Sequence, residues 1–128
     1  MASGFNTVFN PHRQALNLLE QRLGLISGNL ANASTPGYKA RDLDFTQAMQ
    51  AVEKDAQGAS PAKGHLPLRG AGAGHVMYRT PLQPSLDGNT VDAQTEKAAF
   101  AEAAVRYEST LSLLSRRISG LRAVLKGD

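Results

Sequence analysis

The side chains in this 128-residue sequence of types that do chemistry are few, and their spacing works against them. The histidines, His12, His65 and His75, lack the i, i+4 spacing that sets two imidazoles on one helical face, so they form no local metal-binding constellation. No cysteine is present, which removes disulfides, thiolate nucleophiles and Cys-ligated metal centres. Asp42 and Asp44 stand two apart, as paired carboxylates would. Acidic groups at a helix start also meet the positive end of the helix dipole, and capping is the role expected of them. Ser109, Ser112 and Ser115 have no histidine or lysine base nearby in sequence. Gly70-Ala71-Gly72-Ala73-Gly74 lacks the Gly-Lys-Ser/Thr ending of a phosphate-binding loop and reads as linker. The sequence therefore predicts no catalytic residue, no metal site, no cofactor and no small-molecule substrate. Arg116, Arg117, Arg122 and Lys126 put four positive charges and no acid between positions 116 and 126. They suit the negative end of a helix dipole, or an acidic partner surface.

Two long apolar series must position whatever this chain does. Phe9, His12, Leu16, Leu19, Leu23, Ile26 and Leu30 alternate steps of three and four, as do Phe100, Ala104, Tyr107, Leu111, Leu114, Ile118, Leu121 and Leu125. A mean spacing of about 3.5 residues keeps a narrow stripe turned toward a partner helix. The spacing predicts helices over 8–32 and 91–126. At about 1.5 Å per residue they are about 35 and 50 Å long, which suits a rod-like bundle better than a compact globule. Leu18 and Leu25 lie off the first stripe, and Val105, Leu113 and Val124 off the second. Scattered surface apolar residues account for them, or further neighbouring chains pack there. Gly24 and Gly28 weaken the first helix and give slight support to close helix packing.

The middle of the chain is a different material. Residues 32–90 contain most of the proline and glycine, and only 7 of 128 residues are Phe or Tyr, with no Trp, so a large autonomous core is not expected. Asp44, followed by Phe45, Ala48, Met49 and Val52 on one helical face, predicts a short helix over about 44–55. A mobile loop is expected over about 56–75, where GASPAKGHLPLRGAGAG offers little apolar surface against its ordering entropy. His75 to Thr80 reads as an extended segment or edge strand. The fold class expected is mainly α: an antiparallel coiled-coil hairpin of long terminal helices around an irregular Pro/Gly-rich centre with little β, all in one domain over 1–128.

Two motifs mark where the helices meet the centre. In Asn29-Leu30-Ala31-Asn32-Ala33-Ser34-Thr35-Pro36-Gly37-Tyr38-Lys39, Asn32 ends a helix, and proline then glycine at the middle of Thr35-Pro36-Gly37-Tyr38 specify a type II turn. In Ser85-Leu86-Asp87-Gly88-Asn89-Thr90-Val91-Asp92, an Asp-Gly turn precedes Asn89, Thr90 and Asp92 as candidate N-caps. At these residues the sequence resembles the flagellar axial protein family. Short length, Ala40 to Phe45, and Arg116 to Leu121 resemble its proximal rod members. The resemblance covers both ends of the chain and leaves about 55–75 unassigned.

The resemblance implies a structural subunit of the bacterial flagellar basal-body rod that assembles through its terminal helices into a helical tube and transmits torque. It implies, as partners, other copies of the chain, other rod proteins, the basal-body adaptor and the flagellar export gate. It also implies location in the periplasm-spanning rod after flagellar type III export, consistent with an N-terminus, Met1 to Arg13, that carries no signal-peptide-like apolar run. Leu16, Leu19, Leu23, Ile26, Leu30, Tyr107, Leu111, Leu114, Ile118, Leu121 and Leu125 are the expected packing and assembly residues.

The net charge of +3 leaves a small basic helical module that binds nucleic acid as an alternative, and the heptads leave a coiled-coil adaptor. Fluorescence titration with duplex DNA separates the first: a nucleic-acid module binds at low salt and weakens steeply as salt rises. A rod subunit, with no nucleic-acid partner, is expected to show no such affinity.

Overall fold

The computed structural model describes residues 2–56 and 74–127. In chain order these form α1 (Ala2–Ala31), β1 (Arg41–Leu43), α2 (Phe45–Ala56), β2 (Val76–Tyr78) and α3 (Ala93–Lys126). The protein is mainly helical, and α1 and α3 lie against each other. Asn29, near the end of α1, meets Glu96, near the start of α3, while Arg117, near the far end of α3, acts electrostatically on His12. Helix α1 begins about two turns before the expected position 8, although Pro11 lies inside it. Proline at this interior position removes one i→i−4 hydrogen bond, yet in the sequence the steps of four and three run on from Phe9 back to Phe5 and Ala2, so the extra turns continue the same apolar series. The loop expected at 56–75 falls, apart from its edges, outside the described residues.

Helix α2 begins where expected. Asp44 accepts from the Gln47 N–H at 3.1 Å and its carbonyl receives the Ala48 N–H at 3.0 Å, so the residue caps the helix. The apolar face of α2 is then laid on the flank of α1. Leu18, Leu43 and Val52 are buried together, with Leu25, Phe45, Ala48 and Met49 packed around them. The off-stripe apolar residues of α1, Leu18 and Leu25, are thus covered by this chain itself, not by further neighbouring chains. Gly74 packs so closely on Leu43 that a Cβ there would overlap its side chain.

On α1, Leu19 and Ile26 are buried and Leu16, Leu23 and Leu30 half-buried. On α3 the buried stripe differs from the expected one. Glu96 and Ala103, seven apart, are fully buried, and Ala99, Tyr107, Thr110 and Leu114 are half-buried. Phe100, Leu111, Ile118, Leu121 and Leu125 remain exposed. The physical reason is that a polar anchor at Glu96 and the small Ala103 set which side of α3 turns inward, and apolar spacing alone cannot register that. Gly24 is exposed with no atom within 4 Å of a Cβ placed there, so the Gly24/Gly28 pair marks no close helix crossing.

The residues expected to form an extended segment, His75 to Thr80, contribute β2. It pairs antiparallel with β1 in the register Arg41↔Tyr78, Asp42↔Met77, Leu43↔Val76. Strand β1 was not anticipated from the sequence, because three residues are too few to show a period of two. Among the described residues no helix is long and apolar enough to cross a membrane.

Removing most of the Leu18 side chain is expected to cost about 2–5 kcal/mol of unfolding free energy, because the site is closed on all sides. Gly24→Ala is expected to stabilise by about 1 kcal/mol, since the added methyl meets nothing and alanine is the better helix former. Urea denaturation followed by circular dichroism measures both.

Candidate functional site

The two turn motifs are not merely at the two helix ends; they are bonded to each other. Helix α1 leaves four carbonyls without intrahelical partners, as every helix does. Asn32 recovers one, its backbone and side-chain N–H groups both donating to the Gly28 carbonyl, at 3.2 and 2.8 Å. Its Oδ1 accepts from the Thr35 hydroxyl. The turn that follows has Gly37 at φ 72° and the Tyr38 N–H donating to the Thr35 carbonyl, as the type II reading required.

Asn89 comes from the second motif and closes this exit. Its side-chain nitrogen lies 3.0, 2.9 and 2.9 Å from the carbonyl oxygens of Asn32, Ala33 and Thr35, and its Oδ1 accepts from the Val91 N–H. Asn89, read from sequence as a candidate N-cap of α3, instead caps the C-terminal exit of α1. Asp92 is the cap of α3, accepting from the N–H groups of Gln94 and Thr95 and from the Thr95 hydroxyl.

Alongside, residues 37–40 and 87–90 run together. The Gly37 N–H donates to the Asp87 carbonyl, the Thr90 N–H to the Tyr38 carbonyl, and the Ala40 N–H to the Thr90 hydroxyl oxygen. Lys39 Nζ donates to the Gly88 carbonyl at 2.7 Å. Gly88, at φ 75°, comes so close that a Cβ would lie 3.8 Å from the Gly37 Cα. Both glycines have left-handed backbones that a side chain would strain. Asp87 Oδ1 accepts from the Ser85 hydroxyl and the Asn89 N–H, which shapes the turn.

A second polar cluster ties both helices to the small sheet. The backbone N–H and C=O of Arg41 face away from β2, and the Asn29 amide takes both: Oδ1 accepts from Arg41 N at 3.0 Å and Nδ2 donates to Arg41 O at 2.7 Å. The other Asn29 proton goes to Glu96 Oε2 at 3.2 Å, so every hydrogen-bonding atom of this fully buried side chain is used. Glu96 is itself fully buried and is neutralised by Arg79 Nη1, whose Nη2 reaches Asp42 at 2.7 Å. Arg22 approaches the same carboxylate, its Nε 3.4 Å from Asp42 Oδ1 without hydrogen-bond geometry. Asp42 is therefore an ion-pair partner and not a helix cap, contrary to the sequence expectation. Arg22 and Arg106 also stand over the Phe45 ring, 5.6 and 5.8 Å from its centroid.

The motif residues Asn29, Asn32, Thr35, Gly37, Tyr38, Asp87, Gly88, Asn89 and Asp92 are thus gathered in one region, with Pro36 exposed on the turn between them. Glu96, Arg79 and Arg22 were missed, and Asp42 was read as a cap. The available signal was a glutamate exactly one heptad before Ala103, and it is faint. Of the assembly residues, Leu111, Ile118, Leu121 and Leu125 are exposed along α3, as are Arg116, Arg117, Arg122 and Lys126. Helix α3 closes on Gly127, in a left-handed conformation, with its N–H donated to the Ala123 and Val124 carbonyls. An open cleft of about 480 Å³ borders Arg22, Asp42, Phe45, Tyr78, Arg79 and Arg106. Of the charged residues at the cleft, Arg22 and Arg79 pair with Asp42, and Arg106 pairs with Glu102. Among the described residues no group of three His, Asp or Glu is placed to hold a metal. The region can hold two helices and a sheet in one geometry; it is built as a joint.

The family profile described as flagella basal body rod protein matches residues 9–39, which contain most of α1 and the first turn motif. The chain is 43% identical over 127 residues to the flagellar basal body rod protein FlgB of Cereibacter sphaeroides, covering 98% of this chain and 99% of that one. It is 40% identical over 132 residues to the protein of the same name from Aeromonas hydrophila, covering 100% and 99%. The protein of that name from Salmonella typhimurium is 38% identical over 124 residues, 90% of each chain.

Asn89→Ala is expected to destabilise by about 1–3 kcal/mol, because carbonyls in a part-buried site lose their donor. The near-isosteric Asn89→Asp is expected to cost more, since it points a carboxylate at those carbonyls; urea titration ranks the two.

Acid acts on the fold through identifiable groups. The Thr95 hydroxyl and N–H hold Asp92 below its ordinary 3.8, and the Ser85 hydroxyl with the Asn89 N–H does the same for Asp87. Their stabilisation is complete above about 3.8 and is lost as pH falls through the lowered folded values. Burial, then the charge of Arg117, lowers His12 from 6.5, so the fold disfavours its protonation and weakens as pH drops below that value. Thermal melts from pH 7 downward should therefore lose stability in two windows. His12→Gln should remove the upper one and Asp92→Asn blunt the lower.

Proposed function

Because this chain belongs to the family of the flagellar basal body rod protein FlgB and is a structural subunit of the flagellar basal-body rod, we propose that its long helices pair as an antiparallel coiled-coil hairpin whose free flank is completed by neighbouring subunits. The matching of opposite helix ends, Asn29 with Glu96 and His12 with Arg117, supports the hairpin. Residues 1–128 act as one rod unit, with the small sheet braced against α3 by the ion pairs of Arg79 and α2 laid on α1 by its apolar face.

One observation carries the assembly reading. Helix α3 leaves Leu125, Val105 and Val124 largely open to solvent, and Leu111, Leu113, Ile118 and Leu121 exposed over 36–46% of their surface. Large side chains in line on a 34-residue helix gain about 25 cal/mol per Å² when another surface covers them. Contacts repeated by helical symmetry are heterologous and extend without closing, as a tube requires. In that tube Leu16, Leu19, Leu23, Ile26, Leu30, Tyr107 and Leu114 pack the hairpin and the exposed leucines pack between subunits. The rod transmits torque from the motor side to the parts beyond it. Its partners are other copies of this chain and other rod proteins, with the basal-body adaptor and the flagellar export gate at its base. The chain reaches the periplasm-spanning part of the basal body by flagellar type III export.

Ile118→Asp tests this directly, since the side chain is exposed and the single chain should fold as before. The expected outcome is loss of rod assembly and of swimming, with helicity unchanged in circular dichroism, because a charge would be buried between subunits without a partner. Normal swimming of the variant would overturn the assembly reading.

A further inference from the structure

Residues one heptad apart share a face in a helix pair, and three such columns run along the flank of α3. The inner one is Glu96, Ala103, Thr110 and Arg117. Glu96 and Ala103 are fully buried, Thr110 is half-buried, and Arg117 acts electrostatically on His12 of α1. The middle column is Phe100, Tyr107, Leu114 and Leu121, of which Tyr107 and Leu114 are half-buried. The outer one is Ala104, Leu111, Ile118 and Leu125, whose large side chains are 44%, 43% and 75% exposed. This order is the reverse of the one that apolar burial selects. The column turned toward α1 carries two charged groups and a hydroxyl, while the column turned away carries three branched aliphatic side chains. One polar cluster holds the inner column in place. Glu96 accepts from Arg79 Nη1 and, at 3.2 Å, from Asn29 Nδ2. Arg79 is brought there by the sheet, its own N–H being donated to the Ala40 carbonyl at 2.9 Å.

We propose that α3 has two rotational settings against α1, and that the Arg79–Glu96–Asn29 cluster selects the one that leaves Leu111, Ile118 and Leu125 uncovered. The middle column serves both settings, so a turn of α3 by about 50°, one-seventh of the heptad wheel, exchanges the inner column for the outer one. In the second setting the three aliphatic side chains pack on α1, and Glu96 moves to the flank, where water solvates its carboxylate. Apolar burial favours that setting. Reaching it takes an acceptor from Asn29 and the buried carboxylate from Arg79, and a buried charge deprived of its partner is strongly disfavoured. Docking of the sheet is therefore the event that turns the leucine column outward. Before Arg79 arrives, α3 closes on α1 through its leucines; afterwards that column is free for a neighbouring molecule. This bearing on assembly rests on the reading of the chain as a rod subunit, whereas the two settings are a property of the single chain.

The chain lacks cysteine, so a single introduced thiol reports on its own column. In the full-length chain, kept dilute, Ala103→Cys marks the inner column and Leu111→Cys the outer one, and each is timed against an aromatic disulfide reagent. With the cluster intact, the outer thiol is expected to react at least about tenfold faster than the inner, which is reached only through local opening. In an Arg79→Met background the order is expected to invert, with helicity in circular dichroism retained. Arg79→Met/Glu96→Leu replaces the buried pair by apolar side chains, a change that folds tolerate when both partners go, and should restore the original order. An unchanged order in Arg79→Met, a loss of helicity, or two fast thiols overturns the second setting. Failure of the double variant to restore the order overturns the part given to the Glu96 charge. Swimming of the same variants without the thiols is expected to be lost in Arg79→Met and recovered in the double variant. Inversion with normal swimming overturns the link to assembly, whereas lost swimming without inversion overturns the two settings and leaves the rod reading standing.

Discussion

The buried amide of Asn29 is the point on which the rest of the structure turns. One side chain answers the outward-facing backbone of β1 and the buried carboxylate of α3 at the same time, so the exit of α1, the sheet and the start of α3 share a single geometry. Glu96 is tolerable in that position only because Arg79, carried on the chain just after β2, supplies the opposite charge, and Asp42 on β1 steadies the same guanidinium. A buried ion pair is a poor source of net stability, because desolvation consumes much of the Coulombic gain, yet removing one partner leaves the other stranded. Such a cluster discriminates strongly against wrong arrangements of the helices while adding modestly to the stability of the right one.

That division of labour explains where the hydrophobic residues are. The small internal core of Leu18, Leu43 and Val52 lies between α1, α2 and the sheet, and it does not extend along α3. With only 7 aromatic residues in the chain and none of them Trp, apolar burial inside one molecule is limited. Polar pairing fixes the joint end, and the outer half of α3 keeps its leucines available. A subunit whose apolar surface was fully consumed internally would have nothing left with which to build a rod.

Most of the helical architecture was legible in the sequence because long helices have a period, and Leu19, Ile26, Tyr107 and Leu114 all sit where that period puts apolar residues. The caps at Asp44 and Asp92 and the turn at Pro36-Gly37 were legible for a different reason: each is a local rule satisfied within four residues. What could not be read was pairing across the chain. Asn89 looks like a helix start and serves as a helix end, because its partners are 54 to 57 positions away. Asp42 looks like a cap and serves as a counter-ion to Arg79, which is 37 positions away. The rotation of α3 belongs to the same class, since the choice between the Phe100 and Ala103 stripes is made by the charge on Glu96 meeting Asn29 of α1 and Arg79 just after β2.

The same reasoning says why the joint is polar and not greasy. Apolar contacts are non-directional and tolerate sliding by one helical step, because neighbouring heptads of leucine look alike. A side chain such as Asn29, whose oxygen and both amide protons are all engaged, has no equivalent place one turn along. In the assembly proposed above, load applied to a stack of such subunits would be borne by long helices whose relative register is pinned at one end, while the apolar flank beyond it would supply adhesion to the next molecule. Stiffness and assembly are thereby assigned to different residues, so a change on the exposed flank of α3 can alter how subunits join without altering the shape of the part being joined.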